Sequence, residues 1–425
     1  MNPWPVIWAA LQRYRISALA FVMLVAAGVA LAVAILSQER ALRSGSARAA
    51  DRFALIVAPP GSRTDALFTG VFLQPGASQL LSAALTAKLL NDTRAAFVSP
   101  LAFGDSHRGA PVVGVVSALV EHLSAGLEQG RVFNTREEAV VGAHSLLQVG
   151  DRFKPAHGVH QGSEADRAEG DGSAGGDDKG DRGQLHRGGP DGHALQITVV
   201  GRMKPTGSPW DRALLVPVEL VWSLHQQPTG HPPDSLQLGP PFDPQFTPGI
   251  PAAVVQTDKL AASYQLRAAY TGAESMAFFP AEALLQLYAI LGDVRQLMSL
   301  LALVTQALVL LAIVASVFML FRLLAPQFTT LRALGAPRRY VFVVAWGFTA
   351  LLVGVGVMAG LAGGYGLSFA ISAWLARSTG IALQPSLGQS ELLVSLAIFG
   401  TGLVLAALPA WRMHRVSLAS AMKGA

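Results

Sequence analysis

The chain has 425 residues, of which 51% are hydrophobic and only 14% carry a formal charge, and its mean hydropathy is +0.41. This composition excludes an ordinary soluble protein and predicts a membrane protein with a sizeable soluble part. Because the chain contains no cysteine, disulfides and thiolate metal sites are excluded.

Four apolar runs predict transmembrane helices, because each is close to or above the roughly 20 residues that cross about 30 Å of hydrocarbon. The runs cover residues 16–36, 298–320, 341–367 and 392–410. A signal peptide is the competing interpretation of the first run. Its apolar part is too long for that, however, and the nearest Ala-x-Ala sequence, at 47–49, lies too far downstream. We therefore expect an uncleaved first helix.

The distribution of charge predicts the orientation of these helices. Residues 1–38, 321–340 and 411–425 contain nine Lys or Arg and no Asp or Glu, whereas residues 39–295 contain 22 basic and 26 acidic residues. Since basic loops remain in the cytoplasm, both termini and the loop 321–340 are predicted to be cytoplasmic. The net charge of +5 is therefore a topology signal, and a nucleic-acid partner is not expected.

The first predicted element is an interfacial helix over residues 1–14, with tryptophans at the depth of the membrane surface. The residues that share its apolar face are Trp4, Ile7, Trp8 and Leu11. The first span follows. Because no proline interrupts the sequence after it, we expect this helix to continue to about Ala50, with Gly45 as its weak point.

Residues 38–295 predict a large mixed α/β extracytoplasmic domain inserted between the first and second spans. Its strand-like patterns alternate with at least one amphipathic helical pattern. The strand patterns cover 51–60, 96–103, 110–119, 195–205, 213–222 and 252–260, and the helical pattern covers 77–92. The fold class is therefore an α-helical membrane protein with four transmembrane helices and this α/β domain. Residues 1–37 and 296–425 carry the spans.

The segment 156–194 predicts a flexible insert, because it holds 11 glycines and eight acidic residues and has almost no large apolar side chain to bury. It also holds four histidines, with Asp177, Asp178 and Asp181 between them. Imidazoles and carboxylates suit a zinc-like ion, and a plain solvated loop is the alternative. The candidate metal ligands are His157, His160, His186 and His193.

Two features of the sequence concern the length and the packing of the predicted spanning helices. Residues 281–325 contain no proline and keep helical spacing up to the second span, so one helix of roughly 67 Å would extend beyond the bilayer as a stalk. In the third span Gly356, Gly360 and Gly364 recur every four residues, a spacing that lets a neighbouring helix approach closely. Because glycine is common in membrane helices, an incidental repeat is the alternative.

The loop 321–340 predicts a short amphipathic helix on the cytoplasmic side. Pro326 suits a first helical position, and the sequence Gly-Ala-Pro at 335–337 is a stop signal. The residues that share its apolar face are Phe328, Leu331 and Leu334. Such a helix docks on a partner or, alternatively, only lies on lipid headgroups.

Several kinds of chemistry are not predicted. There is no Gly-x-x-x-x-Gly-Lys-Ser/Thr loop for ATP, no Gly-x-Ser-x-Gly and no His-Glu-x-x-His. The four apolar runs contain no Asp, Glu, Lys, Arg or His, which argues against an ion-coupled transporter. We therefore expect no enzyme activity and no cofactor in this chain, apart from a zinc ion in the insert.

The order of elements and several short motifs resemble the FtsX-like permeases of ABC transporters, the group that includes the MacB and LolC types. The most specific motif is TLRALGAPR at 330–338. The weaker motifs are GRVF at 130–133, AVVG at 139–142, and LPA at 408–410 followed by LASAMK at 418–423. The resemblance covers nearly the whole chain.

The resemblance implies that the basic loop is a coupling helix, which docks into a groove on a separate cytoplasmic ATPase subunit that binds the ATP. The implied docking residues are Leu331, Arg332, Ala333, Leu334, Gly335, Ala336, Pro337, Arg338 and Arg339. It also implies a second permease copy, and movement passed to the outer domains rather than a substrate path through the bilayer.

The resemblance further implies a multi-pass protein of the bacterial cytoplasmic (inner) membrane, in contact with its lipids. The substrate class expected from the resemblance is a lipoprotein, a peptide or a hydrophobic compound. The alternative is a membrane-anchored regulator that switches an extracytoplasmic protein partner and transports nothing.

Overall fold

The part of the chain that the computed structural model describes covers residues 2–74, 76, 79–157, 195–290 and 335–415, with isolated positions between 291 and 334. The chain folds as two compact units. The membrane unit comprises Met1–Gly45, Ala289–Ser378 and Ala382–Ala425, and the α/β unit comprises Ser46–Tyr288 and Thr379–Ile381.

The α/β unit is built on an eleven-stranded sheet of short, mostly buried strands. Valine is the commonest residue in these strands, because a β-branched side chain packs well on a pleated surface. The strands are β1 (Leu55–Ala58), β2 (Phe97–His107), β3 (Ala110–Val115), β4 (Leu127–Gly130), β5 (Glu138–Val141), β6 (Arg152–Phe153), β7 (Ala156–His157), β8 (Ile197–Met203), β9 (Leu214–Pro217), β10 (Ala252–Gln256) and β11 (Met276–Phe278).

The strand order is β11-β1-β10-β2-β3-β9-β5-β8-β4, with β6 paired to β8 and β7 paired to β2. Most neighbours are antiparallel, but β5 and β8 are parallel, and so are β3 and β9. In the second pair Val112 lies opposite Leu214 and Val115 opposite Pro217. At the carboxyl end of each of these two strands the chain turns into a helix. This pair of strand-to-helix turns creates the cavity described below.

Short helices complete the α/β unit. Two begin at serine caps: the Ser62 hydroxyl accepts from Asp65 N (3.2 Å) and the Ser82 hydroxyl accepts from Leu85 N (3.3 Å). The helices are α3 (Arg63–Gly70), α4 (Ala83–Leu90), α5 (Ser117–Ser124), α6 (Val218–Leu224), α7 (Leu260–Ala269) and α8 (Pro280–Ile290).

Three sequence predictions need correction at helix boundaries. The strand predicted over 213–222 ends at Pro217, because proline has no N–H for the ladder and its φ of −54° leads into α6. The strand predicted over 110–119 ends at Val115, where α5 follows. The helix predicted over 77–92 begins later, since Ser82 caps it.

The first two residues of the predicted insert also differ from expectation. Ala156 and His157 form β7 and pair with Ser106 and Asp105 of β2, so the sheet extends into the segment that was predicted to be flexible. Residues 158–194 lie outside the described residues.

Asp92, two residues beyond α4, joins the end of that helix to Tyr270, which directly follows α7. Tyr270 Oη donates to Asp92 Oδ2 (2.9 Å), and the Arg94 guanidinium donates to both carboxylate oxygens (2.9 and 2.6 Å). The hydrogen bonds from Arg94 lower the pKa of Asp92 to about 2. Burial, together with the hydrogen bond to Asp92, raises the pKa of Tyr270.

We expect Asp92→Asn to destabilise the α/β unit by about 1 kcal/mol at pH 6, because Arg94 is partly exposed to solvent, and by much less near pH 2. The folded-state pKa lies below the unfolded one, so this stabilisation is present above about pH 4 and is lost as pH falls through 2. Urea unfolding followed by tryptophan fluorescence at the two pH values measures the difference. Asp258→Asn, at an exposed carboxylate of the same unit, is the control; an equal loss in both variants would contradict this role for Asp92.

The membrane unit contains four described helices. Three of them are long and apolar enough to cross a membrane, over Arg15–Ala50, Arg338–Arg377 and Gln389–Ala407. The second predicted span, 298–320, lies outside the described residues apart from isolated positions. The helices are α1 (Trp4–Arg13), α2 (Arg15–Ala50), α9 (Arg338–Thr379) and α10 (Gln389–Arg415).

Helix α2 confirms that the first span stays helical to Ala50, and Gly45 does not interrupt it. Helices α9 and α10 extend beyond the apolar runs 341–367 and 392–410 that predicted them. Helix α9 continues past residue 367 because no proline follows, and it ends at Gly380, whose φ of +75° suits a left-handed helix terminus. Helix α10 begins at Gln389 rather than 392, which brings Glu391 into its first turn. Beyond α8, the predicted stalk 281–325 lies outside the described residues apart from isolated positions.

Candidate functional site

Part of the predicted docking segment lies at the start of α9. Residues 331–334 are outside the described residues. Gly335 has a left-handed φ of +91°, and Pro337 O accepts from Tyr340 N (2.9 Å) and Val341 N (3.3 Å), so Pro337 marks the start of the helix. The first turn of α9 carries no acidic residue, and its Arg338 and Arg339 side chains are exposed.

Two positive side chains at the start of α9 oppose the helix dipole. The amino end of a helix carries a partial positive charge, so two arginines there raise the local potential at a cost of about 0.3–1 kcal/mol each. Carboxylates or phosphates that contact Arg338 and Arg339 would relieve that cost. A protein groove with acidic residues and a lipid headgroup both meet this requirement.

Helix α1 supports the same region. Ile7 and Ala10 are buried in one apolar cluster with Val341 and Val344 of α9. Tyr340 Oη donates to Asn2 O (3.1 Å), which ties the amino terminus to the first turn of α9. The single apolar face that the sequence predicted for α1 is divided in the structure: Ile7 faces α9, whereas Trp4 and Trp8 are 61% and 60% exposed.

The glycine repeat of α9 is a true packing face against α2. A Cβ placed on Gly356 would lie 2.7 Å from Val25 Cβ, and one on Gly360 would lie 2.6 Å from Val29 Cβ. At Gly364 the distances would be 2.8 Å to Val33 Cβ and 2.7 Å to the backbone oxygen of Ala30. Real side chains do not approach this closely, so the incidental interpretation is wrong. We call this contact the glycine seam.

A second contact holds α2 near its residue 40. Arg40 Nη2 donates to Glu391 Oε2 (2.7 Å) and to Ser390 Oγ (2.8 Å), and Arg40 Nη1 donates to Ser386 O (3.0 Å). The Glu391 side chain is fully buried, and Gly388 N also donates to its Oε2 (3.0 Å). We call this contact the Arg40 clamp. It holds α2 against the first turn of α10.

No sequence pattern predicted the Arg40 clamp, although Glu391 was a signal for it. Glu391 is the only acidic residue after Asp293, and it directly precedes the fourth apolar run. A lone carboxylate next to a spanning segment calls for a cationic partner. The partner lies 351 residues earlier in the chain, so spacing gave no means of choosing it.

The last turn of α2 lies in the core of the α/β unit. Ala49 and Ala50 are buried there, and Ser46 Oγ is hydrogen-bonded to Tyr288 Oη of α8. Two residues beyond the helix, the Arg52 guanidinium donates to Leu123 O (2.7 Å) and Thr206 O (3.1 Å). The end of α2 is therefore fixed by apolar packing and by hydrogen bonds.

The two weaker motifs of the α/β unit have structural roles. Gly130 has a φ of +74°, and a Cβ there would lie 2.0 Å from Val200 O. Arg131 makes a bidentate ion pair with Glu138, whose hydrogen bond lowers the pKa of that carboxyl. A Cβ on Gly142 would lie 2.4 Å from the backbone of Asp211. These motifs hold strands β4, β5 and β8 in place.

Of the four proposed zinc ligands, only His157 lies among the described residues. His157 contributes its backbone to β7, and His160, His186 and His193 lie outside the described residues. Within the described part of the chain, no three His, Cys, Asp or Glu side chains are grouped closely enough to hold a metal ion. The zinc site stays a prediction.

Comparisons with known proteins give a weak structural likeness. No protein-family model matches the chain, and no curated protein matches it. Among solved structures, the crystal structure of the periplasmic region of MacB from Actinobacillus actinomycetemcomitans is similar to part of the chain, at 9% identity and a TM-score of 0.32. The matched region covers 56% of this chain and 95% of that one.

Proposed function

We propose that the chain is the permease subunit of an FtsX-like ABC transporter, with four spans, in which movement driven by a separate ATPase reaches the α/β unit through α2. One observation carries the proposal: α2 is a single helix that takes part in both units. Residues up to 45 belong to the membrane unit, and its last turn, 46–50, is packed in the core of the α/β unit.

The length of α2 supports this role. Its 36 residues measure about 54 Å at 1.5 Å per residue, and only about 30 Å is needed to cross the hydrocarbon. Helices are stiff over this distance, so a shift at one end is carried to the other. In this proposal the cargo is a lipoprotein, a peptide or a hydrophobic compound, and it does not pass between the spanning helices.

The contacts of α2 supply a route from the cytoplasmic side. The docking segment 331–339 leads directly into α9, which begins at Arg338. A force on that segment therefore acts on α9 and passes through the glycine seam to Val25, Val29 and Val33 of α2. The Arg40 clamp adds a second contact, between α2 and the start of α10, so that α2, α9 and the start of α10 move together. The assembly contains two permeases and two ATPases in the inner membrane.

We expect Leu331→Asp combined with Leu334→Asp to weaken the complex with the cognate ATPase by roughly tenfold or more, because two charges would enter an apolar docking face. Thr329→Asp with Thr330→Asp adds the same charge to the same segment outside that face and is the matched control. Co-purification of the tagged ATPase with each permease variant measures the effect. Normal recovery of the ATPase with the leucine variant would show that the docking assignment is wrong.

A further inference from the structure

A cavity of about 380 Å³ lies in the α/β unit at the carboxyl ends of β3 and β9. Adjacent parallel strands that each turn into a helix leave a crevice at this end, and α/β folds place ligands in such crevices. The volume falls in the range of about 300–1,000 Å³ that holds small ligands. Neither the docking segment nor the glycine seam accounts for this cavity.

The wall of the cavity contains a buried carboxylate. Glu219 lies in the first turn of α6, directly after Pro217 ends β9, and its side chain is 1% exposed. Gly239 N donates to Glu219 Oε1 (2.6 Å), and no other donor among the described residues is hydrogen-bonded to this carboxylate. A carboxylate has room for about four hydrogen bonds, so most of its acceptor capacity is left for a ligand.

The imidazole of His231 lies next to the Glu219 carboxylate. His231 Nε2 is 3.6 Å from Glu219 Oε1, the side chain is 2% exposed, and the ring stacks on Phe242. His231 Nε2 has no hydrogen-bond partner among the described residues. The two groups lie within ion-pair distance of each other, but the imidazole nitrogen makes no hydrogen bond and the carboxylate accepts only one among the described residues. So incomplete a set of hydrogen bonds is costly for folding alone, which points to a binding role.

Another part of the cavity wall is the turn between β4 and β5, which is fixed by hydrogen bonds to Glu138. Asn134 and Phe133 line the cavity, and Asn134 N donates to Glu138 Oε2 (2.8 Å). The same carboxylate is paired with Arg131, so the turn between β4 and β5 is fixed before any ligand arrives. A preformed wall lowers the entropy cost of binding.

We propose that this cavity binds a small molecule that carries an ammonium group and an apolar body. The ammonium donates charge-assisted hydrogen bonds to Glu219. The apolar body contacts the smaller, apolar part of the lining at Phe133 and Leu238, and polar groups of the ligand contact the Ser117 and Asn134 side chains in the larger, polar part. This inference does not depend on the proposed transport function, because the site lies wholly in the α/β unit.

The probe is leucinamide, which combines an amine, a branched apolar side chain and an amide. Calorimetry on the full-length protein in detergent should show binding in the micromolar to millimolar range expected for so small a ligand. N-acetyl-leucinamide keeps the apolar body but lacks the cation, and we expect no binding. Glu219→Gln keeps the shape and the acceptor for Gly239 N, and it should weaken leucinamide binding at least about tenfold.

A second variant tests the site independently, in case Glu219→Gln loses binding only because it misfolds. Leu238→Trp fills the cavity and leaves Glu219 in place, so it should abolish binding while far-ultraviolet circular dichroism stays unchanged. Absence of leucinamide binding by the unmodified protein at millimolar concentrations would overturn the proposal, as would equal affinity in Glu219→Gln. Zinc binding that depends on Glu219 and His231, without amine binding, would also overturn it, by assigning the cavity to a metal.

Discussion

Replacement of Gly360 by alanine should destabilise the membrane unit by about 1–3 kcal/mol, even though alanine is the better helix former. The added methyl group would lie 2.6 Å from Val29 Cβ and 2.7 Å from Ala26 O, one of which is backbone that cannot rotate away. Helices α2 and α9 would have to separate along the seam. Unfolding of the full-length protein by sodium dodecyl sulfate from mixed micelles measures this loss.

Gly363→Ala is the matched control. Gly363 lies three residues further along α9, and nothing comes within 4 Å of a Cβ placed there. The same change should therefore be neutral or slightly stabilising, because alanine loses less backbone entropy than glycine. If the two variants unfold at the same detergent fraction, α2 and α9 do not pack through the glycine seam.

Arg40→Met should destabilise the same unit by about 3–5 kcal/mol, the largest loss among these variants. Methionine preserves the length and much of the packing of the side chain, but it leaves the fully buried Glu391 carboxylate without its cation. The uncompensated buried charge is the reason for the size of the effect. The same unfolding measurement applies.

Two further variants separate charge from packing. Arg43→Met changes the same residue type in the same helix, at an ion pair with Glu39 that is about half exposed, so it should cost about 0–1 kcal/mol. Arg40→Met combined with Glu391→Gln removes both charges and should recover most of the stability lost by Arg40→Met alone. A double variant as unstable as the single one would mean that the clamp is not an ion pair.

Helices were predicted correctly where a single local feature of the sequence, such as the absence of proline or a glycine repeat, determines the structure. The absence of proline predicted α2 to Ala50, and the four-residue glycine repeat indicated the seam. Apolar runs predicted the central parts of α9 and α10. Hydropathy indicates which part of a helix is buried, however, and does not indicate the residue at which the helical hydrogen bonds end. That difference explains why α9 continues to Thr379 and ends only at Gly380.

The apolar sequence after Leu214 shows a different limit. A short apolar run suits a buried strand or a buried helix equally well, and only Pro217 decides between them here. The Arg40 clamp and the cavity could not be predicted from the sequence for another reason. The Arg40 clamp joins α2 to α10, and the cavity is lined by Asn134, Glu219 and Leu238, which are far apart in the sequence. Each site therefore depends on the topology of the sheet and helices rather than on the spacing of residues along the chain.

The most direct test of the transmission proposal is a distance measured between the two units while the ATPase works. Because the chain has no cysteine, Leu146→Cys in the α/β unit and Met358→Cys in α9, both highly exposed, allow clean spin labelling. Pulsed electron paramagnetic resonance on the complex with its ATPase should show a shift of the distance distribution when ATP binds. Leu331→Asp with Leu334→Asp should abolish that shift. An ATP-dependent shift that persists in this variant, or no shift in a complex that hydrolyses ATP, would contradict the proposal that α2 carries movement from the docking segment to the α/β unit.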